Sequence, residues 1–295
     1  MSTTALHISF KPHVPPKSTG VLKSGALRLA YGPLESQFGD LRLPPGPGPH
    51  RIMVLVHGGA WRAPYHLDQM DLLAEDLTAR SFATWNVEYR RVGQPGGGWP
   101  GTFHDVSLAA DHLREMAPAF GLDLTRVIAI GHSAGGHLAL WLAARHRLPP
   151  GSTLVVSGNP LPLAGVIAQA GIPDLRRMWE ERPMFAGDLR GLSGGNPSEV
   201  PDHYAQASPI TLLPLGVPQV LVHGTEDKVV PIAFSRSYVE AAKAAGDQAS
   251  LIELPGVDHF AVLFPDTAPW APTVQAIMSL FGPPPGQSDV TGRGA

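Results

Sequence analysis

The sequence has no cysteine, and that absence excludes disulfides, cysteine-ligated metal sites and a thiolate nucleophile. Charge is sparse too: Asp, Glu, Lys and Arg make up 16% of the chain and sum to −3. Because Lys and Arg are scattered, no basic surface is set up to grip nucleic acid or an anionic membrane, and the expected partner is a small molecule. No apolar run approaches the length of a membrane span, and residues 1–20, with Lys11, His13 and Lys17, hold no signal-peptide core. The expectation is a cytoplasmic protein, monomer or homodimer. Histidines and carboxylates lack the spacing of a zinc site, so no metal and no other cofactor is expected.

What the chain does have is alternation. Its 295 residues, 43% of them hydrophobic, suffice for one large α/β domain. Leu27-Arg28-Leu29-Ala30-Tyr31 and Gly39-Asp40-Leu41-Arg42-Leu43 alternate apolar and polar residues, which predicts an antiparallel hairpin at a sheet edge. The continuous apolar run at 51–56 is that of a strand buried on both faces, 127–130 is a second apolar run, and 82–89, 164–170, 218–224 and 250–254 read as further strands, 218–224 again buried. Helical spacing fills the intervals 68–80, 103–116, 232–245 and 270–281. The result is an α/β fold: a mostly parallel central sheet with an antiparallel N-terminal edge and helices on both faces. Periodicity fails over 171–213, read as a small cap-like insert at the carboxyl ends of the strands. Residues 1–20 read as a loosely ordered arm, 21–282 as a single domain and 283–295 as a disordered tail.

Three loops at strand ends carry candidate chemistry. Gly131-His132-Ser133-Ala134-Gly135 lies between an apolar strand and an amphipathic helix. A serine at the apex of such a tight turn is pushed outward as a nucleophile, while the Ala134 amide, at a helix N-terminus, faces a developing oxyanion. His57-Gly58-Gly59-Ala60-Trp61 follows a buried strand, and its glycines leave amides unobstructed, with Gly59 and Ala60 the candidate donors; alone it would read as a plain glycine turn. A serine needs a base, and an imidazole oriented by a carboxylate suits that task. Asp227 and His259 each fall just past a predicted strand, and the order Ser133, Asp227, His259 fits a catalytic triad. Among 13 histidines position selects His259; His57, His132 and His137 read as local hydrogen-bonding residues, and Glu226 stays an alternative acid. Trp61 and Trp99, near the two glycine-rich loops, and Trp179 and Phe185, in the insert with Met178 and Met184, are candidate substrate contacts, with core packing the other reading of each.

On these motifs most of residues 25–282 resembles an α/β-hydrolase of the esterase, lipase and prolyl-oligopeptidase-like set. His57-Gly58-Gly59-Ala60-Trp61 is similar to the HGGxW motif of the kynurenine formamidase-like and hormone-sensitive-lipase-related branch. The resemblance implies a cofactor-free serine hydrolase with oxyanion amides at Gly59, Ala60 and Ala134. Ala60 departs from the lipase-type HGGG, which favours the formamidase-like or small-ester branch. Two substrates stay open, a small carboxylic ester or the formamide N-formyl-L-kynurenine. A peptidase is disfavoured because the large extra domain such enzymes usually have is missing from these residues. A catalytically silent binding protein would not need the serine, acid, histidine and glycine loop together.

Overall fold

The computed structural model describes residues 20–22 and 24–282; the tail at 283–295 and nearly all of the expected arm at 1–20 lie outside them. In chain order the strands are β1 (Gly20–Val21), β2 (Leu27–Ala30), β3 (Phe38–Arg42), β4 (His50–Val56), β5 (Ala83–Val87), β6 (Leu122–His132), β7 (Gly165–Gln169), β8 (Gln219–Gly224) and β9 (Ala249–Leu254). The helices are α1 (Asp71–Ala79), α2 (Gly101–Asp111), α3 (Leu113–Phe120), α4 (Ala134–Ala144), α5 (Leu175–Glu181), α6 (Ala186–Ser193), α7 (Pro201–Ala207), α8 (Ala233–Ala244) and α9 (Trp270–Phe281).

One sheet runs β1-β2-β3-β5-β4-β6-β7-β8-β9. The first three strands pair antiparallel and β3 joins β5 antiparallel; every pairing from β5 to β9 is parallel. The apolar strands behave as their composition requires. Along β4, Val54 and Val56 enter a core with Phe103 of α2, Leu138 of α4 and Phe234 of α8. Met53 and Leu55, on the alternate positions, enter a second core with Leu73 of α1 and Ile277 of α9. Two cores on opposite faces bury the central strands β4 to β8 and leave their carboxyl ends as the place for irregular loops. Among the described residues no helix is long and apolar enough to cross a membrane.

Three segments differ from expectation. The helix expected over 103–116 is split at His112, and the Trp85 indole N–H takes the Ala109 carbonyl at 2.9 Å, the acceptor a continuing helix would offer Leu113. The helix after Ser133 is not amphipathic: every residue of α4 is buried. Its outer side is met by the C-terminal end of α7, where Ala207 O accepts from His137 Nε2 (2.8 Å) and Gln206 O from Trp141 Nε1 (2.9 Å). The stretch 171–213, aperiodic in sequence, folds into α5, α6 and α7, of seven, eight and seven residues. Two turns of helix are too short for a 3.6-residue period to stand out.

Candidate active site

β6 leads into Ser133, whose φ of 55° and ψ of −118° end the strand, and α4 begins at the next residue. The turn is that sharp because the glycines permit it. A Cβ on Gly131 would run into the Gly135 carbonyl, and one on Gly135 into the carbonyls of Val56 and His57. Ser133 N–H donates to Gln169 O of β7 at 2.8 Å. The Ala134 amide, first in α4, has no intrahelical acceptor and stands at the positive end of the helix. Among the described residues the Ser133 hydroxyl takes no hydrogen-bond partner, as is common before substrate aligns a catalytic pair.

The 57–61 loop is built by other means. Gly59, Ala60 and Trp61 are consecutive residues of positive φ, at 99°, 52° and 57°. Conformations so disfavoured need external support. Gly58 N–H donates to Gln69 Oε1 (2.6 Å), Tyr89 Oη to His57 O (2.9 Å), and His57 Nε2 to Glu88 Oε1 (3.1 Å). Glu88 also accepts from the amides of Leu67 (3.2 Å) and Tyr89 (3.0 Å) and pairs with Arg91 at 3.4 Å. Burial alone would raise its carboxyl; His57, His66 and Arg91 hold it well below the usual carboxylate range.

Past β8, Asp227 Oδ1 accepts from the amides of Val229 and Val230, both at 2.8 Å. Its Oδ2 accepts from His259 Nδ1 at 2.6 Å. Burial pushes this carboxyl up, but bonds from His223 and His259 outweigh it and hold it well below the usual range. With its proton on Nδ1, His259 presents Nε2 as a base. His132 Nε2 donates to the His259 carbonyl at 2.8 Å, and the two rings lie 4.6 Å apart, so the residue before Ser133 ties the histidine loop to the elbow. The alternative acid Glu226 is occupied elsewhere, pairing with Lys228 at 2.9 Å, and Asp258, the neighbour of His259, accepts from the amides of Phe260 and Ala261.

The aromatic candidates separate. Trp61 is fully buried, its indole N–H given to His137 Nδ1 at 3.1 Å, so it belongs to the core and not to a substrate. Trp99, half-buried, stacks on His203 at 3.9 Å; Trp179, half-buried, meets Tyr204 edge-on; Phe185 is buried and Met178 fully so, whereas Met184 is exposed. The insert reaches both loops that flank the serine: Asp188 of α6 lies 3.6 Å from Arg62, and Arg182 Nη2 donates to Lys228 O at 2.6 Å. His57 bonds locally, Nδ1 to the Gly58 carbonyl at 2.9 Å, as expected, and also reaches Glu88, 31 positions away; His132 and His137 bond to residues 127 and 70 positions away, so these two are long-range ties. The sequence reading did not single out Glu88, Gln69, His223 or Phe260. Phe260 was findable: an aromatic next to the candidate base, 45% exposed, its ring edge-on to His259 at 5.0 Å.

A parallel sheet with this antiparallel edge and a strained serine between β6 and α4 defines the α/β-hydrolase fold. A family model, BD-FAE, matches residues 40–241, and the chain belongs to that family. The chain is 30% identical over 258 residues to the esterase LipC of Mycobacterium tuberculosis, a match covering 85% of this chain and 63% of LipC. The chain thus spans less than two thirds of that relative. It is 29% identical over 229 residues to the kynurenine formamidase avaC of Aspergillus versicolor, covering 67% of this chain and 77% of avaC. Among solved structures, the esterase Est2 of Thermogutta terrifontis superposes with a TM-score of 0.70 at 22% identity, over 85% of this chain and 90% of Est2.

Proposed function

We propose that the chain is a cofactor-free serine hydrolase of small carboxylic esters. The observation that carries this reading is the 2.6 Å bond from His259 to Asp227, on a loop tied by His132 to the strained Ser133. In this reading Ser133 Oγ attacks the ester carbonyl carbon as its proton passes to His259 Nε2. Negative charge builds on the carbonyl oxygen, toward the amides of Gly59, Ala60 and Ala134. The tetrahedral intermediate collapses, the C–O bond to the alcohol breaks, and His259 protonates the departing alkoxide. Water, deprotonated by His259, then cleaves the acyl-enzyme and releases the acid. Asp227 stays ionised throughout and holds the imidazole in one tautomer.

A second reading, hydrolysis of N-formyl-L-kynurenine, is favoured by the similarity to the avaC formamidase. The test is kcat/KM for p-nitrophenyl acetate, p-nitrophenyl butyrate and N-formyl-L-kynurenine, with Ser133→Ala as the blank in each. Ester hydrolysis falling by about 10⁴-fold or more in Ser133→Ala is the expected outcome. Near-wild-type hydrolysis by that variant would refute the assignment, and a clear preference for the formamide would move the chain to the second reading.

A further inference from the structure

Asp227 has a second imidazole on the oxygen that holds His259. His223, the penultimate residue of β8 and fully buried, lies with Nε2 3.1 Å from Asp227 Oδ2 and 2.8 Å from the Val230 carbonyl. A carboxylate and a carbonyl only accept, so His223 Nε2 carries a proton and donates to both. Its Nδ1 lies 2.7 Å from Ser235 Oγ on α8, whose hydroxyl donates to it when the ring is neutral. The ring thereby joins β8, the turn carrying Asp227, and α8. With it, the carboxylate has a donor for each of its roughly four acceptor sites: two amides on Oδ1 and two imidazoles on Oδ2.

We propose that His223 is a positioning residue of this site, one that fixes the Asp227 carboxylate and moderates its pull on His259. The inference rests on the serine-hydrolase reading above. If the ring served only to join β8 to α8, the Val230 carbonyl and Ser235 would satisfy it without Asp227. Sharing Oδ2 has two consequences. The carboxylate cannot rotate away from His259 without abandoning a buried donor, at a cost that holds it in place. And an oxygen already neutralised in part by one N–H stabilises a His259 imidazolium less than a free one would. Losing His223 therefore loosens the base while making it a stronger one. The other ionisable groups around the ring are His259 and His132, beyond Asp227 at the ends of β9 and β6, and Glu253 of β9, which is exposed and paired with Arg236 of α8 at 2.6 Å.

The test compares His223→Met, which keeps bulk without a donor, with His223→Gln, which keeps an N–H near the Nε2 position. The probe is p-nitrophenyl acetate, read as kcat, KM and the pH profile of kcat/KM. In His223→Met, kcat is expected to fall about tenfold with KM within about twofold, part of what a positioned base contributes. Its acid limb moves to higher pH by about half a unit, and the low-field proton resonance of His259 Nδ1–H shifts. In His223→Gln the limb and the resonance stay near wild type. Should His223→Met not fold, Ser235→Ala, which frees Nδ1, is expected to move the limb the same way by less. Equal limbs in all variants, with Ser133-dependent wild-type hydrolysis, overturn this inference alone. Wild-type hydrolysis that survives Ser133→Ala overturns it together with the reading beneath it.

Discussion

The two loops that face each other across the site are held by different means. At the serine elbow the constraint is backbone against backbone: Gly131 meets the carbonyl of Gly135, and Gly135 the carbonyls of Val56 and His57. In the 57–61 loop Gly58 also meets a carbonyl, that of His132, but the rest of the support is side chains from distant positions, Gln69, Glu88 and Tyr89, each bonded to a peptide group or to His57. A carbonyl in a central strand cannot move without the sheet, whereas a side chain can yield. The elbow is therefore all-or-none, and the opposite loop is adjustable.

The sharpest break of that contrast is Gly135→Ala. With a rigid carbonyl in the way and no flexible neighbour to give, overpacking here is expected to cost about 3 kcal/mol or more and to abolish labelling of Ser133 by a fluorophosphonate. Thermal unfolding and the labelling rate measure it, and a labelled, wild-type-like variant would show that the elbow can relax. Glu88→Gln strikes the other loop. Gln keeps one acceptor but loses the charge that pairs with His57 and Arg91, so Gly59 and Ala60 are expected to drift. A displacement of about 1 Å can cost about 10²-fold in rate, and this loss falls on kcat, with KM little altered. Affinity for a trifluoromethyl ketone, which mimics the tetrahedral intermediate, falls in step with kcat. A kcat loss without loss of inhibitor affinity would free the 57–61 loop of its assigned part.

The same contrast explains what could be read in advance. Steric demands between neighbours leave compact marks: Gly131, Ser133 and Gly135 spell out the elbow, and apolar runs gave away β4, β6 and β8 as buried strands of a mostly parallel sheet. Asp227 and His259 were legible because each stands one short turn beyond such a run. Glu88 and His223 were not, since each lies inside an apolar strand or at its end, where a polar residue reads only as an oddity until the fold shows its partner, His57 for Glu88 and Asp227 for His223. For Trp61 the two readings left open, substrate contact and core packing, could not be separated in sequence; its full burial and its bond to His137 favour packing. The insert stayed obscure because each of its helices buries only one or two i,i+3 pairs, such as Leu175 with Met178 and Leu189 with Leu192, too few for a period to stand out.

Acid sharpens the comparison further. The elbow is flanked by two buried histidines: burial, the dominant cause, lowers His132 to about 3 and His137 to about 4, from an ordinary 6.5. Both bind a proton less readily folded than unfolded, so unfolding takes up protons below pH 6.5. Stability therefore falls as pH drops from about 6.5 toward those values, by up to about 1.4 kcal/mol per pH unit for each ring. In the opposite loop the titrating group is Glu88, whose carboxyl is depressed; its contribution is intact above the ordinary value of 4.5 and is lost only as pH falls below it. Between pH 6.5 and 4.5 acid thus loads the elbow while the contribution of Glu88 is kept. His137→Gln removes one of the two rings while keeping a group able to bond Trp61 and Ala207. Its cost, read from urea midpoints at pH 7, 6 and 5, is expected to be greatest at pH 7 and to shrink as pH falls. A cost independent of pH would mean that His137 is protonated equally in both states, and that the elbow's sensitivity to acid comes from His132 alone.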